Sequence, residues 1–263
     1  MFGLAMKLKI NQLWRLFGTG LSFTVFGLGG LIIGGLLLPM VRVIVRDSER
    51  RQVVARNIIG RSFGFFAWLM KSLGVLSYEI KGAWRGLPAG NCLIVANHPT
   101  LIDVVFLISL FPQADCVIKS ALWRNPVTRG AATAANYIPN DGGADVVEKC
   151  TARLREGATL ILFPEGTRTL PGRPLRLKVG AAAIAAQANA RLLPVVIRCE
   201  PLTLYKNDKW YNTPPRKPHF SFEVLPLLEL QDLVPADLGQ RQQRRSLNQA
   251  LTALFEQHLG SGI

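Results

Sequence analysis

Histidine and negative charge are scarce in this chain: three His occur in 263 residues, and 17 Asp plus Glu stand against 31 Lys plus Arg. The formal charge of +14 excludes a basic partner and favours an anionic one: a membrane face, a phosphorylated substrate, an acidic carrier protein or nucleic acid. Cysteine is also sparse. Cys92, Cys116, Cys150 and Cys199 form no C-x-x-C pair and have no histidine at ligand spacing, which argues against a zinc site and a disulfide framework. Reduced, mostly buried thiols are expected, as suits a catalytic part facing the cytoplasm. No internal repeat is visible, and 49% hydrophobic residues exclude a chain dominated by disorder.

What the chain does have is a charge-free run from Leu16 to Val41. At about 26 residues it exceeds the roughly 20 that a helix needs to cross a bilayer core. It reads as membrane-embedded. A cleaved leader is not expected, since its apolar core would be about 7 to 15 residues, whereas this run ends in Pro39, Met40 and Arg42. Gly30-x-x-x-Gly34 would let another helix approach closely, although so many glycines suit a bend as well. Lys7, Lys9 and Arg15 precede the run, and Arg42, Arg46, Arg50, Arg51, Arg56 and Arg61 follow it. That imbalance places the C-terminal part in the cytoplasm if the run spans, and leaves a re-entrant hairpin open. Residues 51–76 then alternate basic and apolar faces, as does a helix lying on an anionic membrane surface; an amphipathic helix packed on the domain is the alternative.

Beyond Trp84 short apolar runs alternate with helical stretches. Strands are expected at 91–97, 114–120, 159–164 and 192–199, with helices from Leu101, over 143–157 and over 181–190. A polar, Pro-rich loop over 206–219, a late strand within 220–230 and an amphipathic helix over 237–258 follow. The fold class is therefore α/β, a largely parallel sheet flanked by helices and preceded by N-terminal membrane-embedded and amphipathic helices. Residues 1–80 form the membrane-anchoring segment and 81–263 the α/β domain.

Two motifs sit at strand ends, where open parallel sheets bind ligands. In "NHPTLID" (97–103), His98 follows a strand and Asp103 falls in the first turn of a helix capped by Thr100. Thr100-x-x-Asp103 has capping-box spacing, and an acid in the first turn suits the helix dipole, so Asp103 alone proves nothing. Functionally, Asp103 would accept a hydrogen bond from one imidazole nitrogen and leave the other to take a proton. No serine or cysteine nucleophile motif accompanies the pair, which favours direct attack by an acceptor over a covalent acyl-enzyme. In "TLILFPEGTRT" (159–169), Gly166 permits a tight turn and Arg168 offers a planar fork for phosphate or carboxylate. A solvated turn is the plain reading of that stretch. Together, however, the motifs would place His, Asp, Glu and Arg in one cleft.

These residues resemble the 1-acylglycerol-3-phosphate acyltransferase family of bacterial lysophospholipid acyltransferases. The H-x4-D element matches at His98 and Asp103, and F-P-E-G-T-R matches from Phe163 to Arg168. "KSALWRNPVTRG" with "NYIPN", and "LLPVVI", correspond more loosely; the resemblance covers roughly residues 85–200. It implies transfer of a fatty acyl group from acyl-CoA or acyl carrier protein to a lyso-lipid hydroxyl, without a further cofactor. His98 would be the general base and Asp103 its orienter. Glu165, Gly166, Thr167 and Arg168 would order the site and hold the acceptor's polar head, with Lys178 a looser match. The expected partners are membrane lipid and the acyl donor, not nucleic acid, for which no recognition module is present. The expected place is the bacterial inner membrane, with the catalytic domain on its cytoplasmic face.

One position departs from the family. Where an arginine commonly helps bind the acceptor phosphate, this chain has Asn140. A neutral amide there suggests a different head group, such as an acylated amino acid or a specialised lipid, unless Lys119, Arg124 or Arg129 covers the loss. A non-catalytic lipid-binding protein would be expected to show a damaged motif, and a thioester hydrolase would release acyl groups without an acceptor.

Overall fold

The computed structural model describes residues 2–82, 90–140, 145–235 and 238–260. The charge-free run does not turn back. Helix α1 (Phe2–Ile32) continues through a π-helical turn (Ile33–Leu37) into α2 (Leu38–Ile44). The widening lies one turn before Pro39, which has no N–H to give the carbonyl four residues earlier. The stretch Lys9–Ile44 is long and apolar enough to cross a membrane, yet its inner face lies against the rest of the protein. A Cβ on Gly18 would meet Val75, and one on Gly20 would meet Trp210. Buried Arg15 donates to the carbonyls of Pro215 and Arg216, both at 2.7 Å. Gly30 and Gly34 do receive another helix, α6 (Pro126–Ala134): a Cβ on Gly130 would stand 2.5 Å from Gly34 Cα.

Helix α3 (Ser48–Ser72), capped by the Asp47 side chain, follows. One side of this helix is packed on the domain, as in the alternative reading. Its apolar side, with Ile59, Phe66 and Met70, belongs to the same buried core as α4 (Asp103–Leu110), and Phe65 and Trp68 remain exposed.

The sheet has seven strands in the order β1-β7-β6-β2-β5-β3-β4. These are β1 (Ser77–Gly82), β2 (Cys92–Ala96), β3 (Asp115–Lys119), β4 (Ile138–Asn140), β5 (Thr159–Leu162), β6 (Arg191–Glu200) and β7 (His219–Val224). Strands β6, β2, β5, β3 and β4 are mutually parallel, and β7 turns antiparallel on β6, carrying β1 with it. Strand β1 was not expected, and the boundary placed at residue 80 falls within it. Alternation along β2 feeds two cores. Ile94 and Ala96 face α3 and α4, whereas Leu93 and Val95 face α7 (Asp145–Arg155), α8 (Val179–Ala188) and α10 (Gln240–Leu259). Short α5 (Ala121–Arg124) and α9 (Leu230–Leu233) complete the described elements. Position 237, expected to open the last helix, and 143–144 of the helix before β5 lie outside the described residues.

Buried Asp115 at the start of β3 binds Arg56 of α3, and at 2.9 Å Arg153 of α7. Arg56 also donates to the carbonyls of Gln113 and Ala135 at 2.7 and 3.0 Å, and burial lowers its pKa to about 10. One carboxylate thus ties together the layers on both faces of the sheet.

Candidate active site

The chain leaves β2 through Asn97, whose side chain extends the ladder by exchanging hydrogen bonds with Ile197 of β6 (2.8 and 2.7 Å). His98 is thereby fixed at the carboxyl edge of the sheet. Helix α4 begins at Asp103, two residues later than expected, because Leu101 and Ile102 form a turn. That turn folds Asp103 back. Its Oδ2 accepts from His98 Nδ1 at 2.9 Å and from the Thr100 N–H at 2.7 Å, and its Oδ1 accepts from the Thr100 hydroxyl.

Asp103 is fully buried and the His98 side chain 18% exposed, so water reaches the imidazole but not its partner. A carboxylate only accepts, so the proton between them sits on Nδ1 and Nε2 presents a lone pair. Phe163 stacks on the imidazole with centroids 4.1 Å apart. The ring is held from its edge and from one face.

The second motif closes around the first. Buried Glu165 accepts from the His98 backbone N–H at 2.8 Å and from the Thr169 hydroxyl at 2.8 Å, and the Thr169 N–H donates to the His98 carbonyl at 2.8 Å. Burial raises the Glu165 pKa, against the lowering effect of these two bonds. Through these bonds Glu165 ties the two motif loops together. Gly166 has φ +68° and turns the chain, with its N–H bonded to the Phe163 carbonyl. Half-buried Thr167 follows. Arg168 Nη1 donates to the carbonyls of Leu204 and Tyr205, each at 3.0 Å, and its Nε and Nη2 make no hydrogen bond to the described residues.

Lys178 precedes α8, and its Nζ lies over Gly166, 2.8 Å from where a Cβ would stand. Asn140 ends β4 at the same edge of the sheet, in register with Lys119. A cation therefore does stand beside the amide. Arg129 lies elsewhere, facing the N-terminal helices. Thr100, Thr169 and Phe163 had no assigned role at this site; only the Thr100-x-x-Asp103 spacing signalled one of them.

Residues 78–198, which contain both motifs, match the family model described as Acyltransferase. Over that stretch the chain is similar to acyltransferases. The chain is 28% identical over 143 residues to the chloroplastic 1-acyl-sn-glycerol-3-phosphate acyltransferase of Brassica napus, covering 51% of this chain and 41% of that one. It is 31% identical over 131 residues to the 1-acyl-sn-glycerol-3-phosphate acyltransferase of Helicobacter pylori, covering 44% and 55%. The chain thus spans about half the length of the curated relatives it matches. The crystal structure of the 1-acyl-sn-glycerophosphate acyltransferase of Thermotoga maritima shares the fold, with TM-score 0.71 over 97% of this chain and 99% of that one at 19% identity.

Burial also raises the thiol pKa of all four cysteines. Cys199, the one nearest the site, has its thiol pushed up to about 12, mainly by burial, with the Asp103 charge adding to the rise. It stays protonated and is no nucleophile at neutral pH.

Proposed function

We propose that the protein transfers a fatty acyl group from the thioester of coenzyme A or acyl carrier protein to the hydroxyl of 1-acylglycerol-3-phosphate or a related lyso-lipid. The observation that carries this reading is the buried Asp103 holding the Nδ1–H of a solvent-accessible His98. The acceptor hydroxyl gives its proton to His98 Nε2 as its oxygen attacks the thioester carbonyl carbon. A C–O bond forms, the C–S bond breaks, and the leaving sulfur takes the proton from the imidazolium. Asp103 orients the ring and stabilises its positive charge, and Glu165 with Thr169 keeps the His98 loop in place. Lys178, Lys119 and Arg168 supply positive charge for an anionic head group.

A lipid substrate is supported by Leu101, Leu122 and Val179, exposed apolar residues on the loops and helix starts that follow the strands. Membrane binding is supported by the outward stripe of α1, including Ile10, Leu13, Phe17 and Leu28. The inner membrane, approached from the cytoplasm, is the setting we assign. A second reading concerns the acceptor alone: the neutral amide of Asn140 suits a head group other than a phosphate.

The test is labelled palmitoyl transfer by detergent-purified protein, from acyl-CoA and from acyl carrier protein, to lyso-lipids with and without a phosphate. His98-dependent transfer to lysophosphatidate is expected. Transfer only to a phosphate-free acceptor would establish the second reading, and acyl release without any acceptor would replace transfer by hydrolysis.

A further inference from the structure

Away from the strand ends, the last turns of α1, α2, the start of α3 and α6 enclose a cavity of about 690 Å³. No residue of the His98 or Glu165 loops lines it. Three arginines line it, each from a different helix: Arg42 of α2, Arg51 of α3 and Arg129 of α6. Among the described residues no carboxylate lines the cavity and none of the three forms an ion pair. Arg56, Arg153 and Arg198, by contrast, do form ion pairs.

Three like charges facing one space repel each other, and a phosphate placed among them would turn that repulsion into charge-assisted hydrogen bonds. The Thr133 side chain adds a polar group to the lining, and Leu31 and Leu38 form an apolar wall. An anionic group at one end and an apolar track at the other describe an amphiphile.

We infer that this cavity binds an anionic phospholipid, with the phosphate held by Arg42, Arg51 and Arg129 and an acyl chain lying along Leu31 and Leu38. The site is separate from the catalytic cleft and does not rest on the reaction proposed for it. The close approach of Gly34 to Gly130 sets the wall between α1 and α6, so the cavity forms only when the N-terminal helices are docked.

The experiment titrates the full-length protein in neutral detergent with dioctanoylphosphatidylglycerol and follows thermal unfolding. Parallel titrations use dioctanoylphosphatidylcholine and inorganic phosphate. A saturable rise in Tm is expected with the anionic lipid alone, and its apparent Kd should rise at least tenfold in the variant R42Q/R51Q/R129Q. The control R46Q/R50Q/R61Q removes as much charge away from the cavity and should keep the wild-type Kd.

An unchanged Kd in the cavity variant, equal loss in the control, or equal binding of phosphatidylcholine would overturn the inference. Inorganic phosphate acting at the same concentrations would overturn its lipid part. Should the triple variant not fold, R51Q and R129Q singly decide: each is expected to raise Kd about threefold, and no change in either counts against the site. Acyl transfer measured alongside keeps the two readings apart, since its absence in the wild type would strike the proposed reaction and leave the binding result standing.

Discussion

Asp103 does two jobs with one carboxylate. It bonds the Thr100 N–H and hydroxyl ahead of α4, and it fixes His98 through Nδ1. Replacing it by Asn keeps the size but allows the amide to present an N–H to the ring and select the wrong tautomer. His98→Ala and Asp103→Asn are each expected to slow transfer about 10²- to 10⁴-fold with little change in KM. Glu165 yields a prediction on stability. Its folded pKa is raised by burial above the ordinary glutamate value of 4.5, so between those two values the native state holds more protons than the unfolded one. Stability then falls as pH rises through that window and the penalty persists above it. Glu165→Gln, which can still accept from the His98 N–H, should remove this fall. Unfolding midpoints of both proteins from pH 4 to 8 check it, and parallel pH curves would refute it.

Among the elements, the contact of α1 with α6 depends on two glycines meeting backbone to backbone. Gly130→Val should overpack that crossing and cost about 1–3 kcal/mol, read as a lowered denaturation midpoint. The Arg56, Asp115 and Arg153 cluster makes a stronger demand. Asp115→Ala leaves a buried guanidinium unpaired and should cost about 3–5 kcal/mol, whereas Asp145→Ala, at an exposed pair with Lys149, should leave the denaturation midpoint almost unchanged. Legibility in the sequence followed burial. The strand β2 reads as a continuous apolar run because both its faces are covered, and α8 reads from its alanines. The edge strand β1, with the sequence SYEIKG, is half-exposed and polar, so nothing in its pattern marks it; its partner β7 lies about 140 residues away. The motif residues His98, Asp103 and Glu165 stood out for their positions at strand ends. Thr169 did not, because its role depends on a carboxylate that only the folded loops bring to it.

For the molecule as a whole, the scarcity of acid noted at the outset has a spatial meaning. Basic side chains line both the cavity beside the N-terminal helices and the carboxyl edge of the sheet, while apolar side chains cover the outer face of α1. This distribution suits a protein that works on anionic amphiphiles at a membrane surface. The sequence could not disclose that the glycine-rich helix lies along the domain, because the residues receiving it, Trp210, Val127 and Gly130, are scattered along the chain. The central claim is that His98, oriented by Asp103, activates a lyso-lipid hydroxyl toward a thioester. The most direct measurement is the rate of two-chain lipid formation from palmitoyl-CoA and lysophosphatidate, by mass spectrometry, for the wild type and His98→Ala in the same detergent. The account predicts product from the wild type and a loss of at least a hundredfold in the variant; equal rates in the two proteins would contradict it.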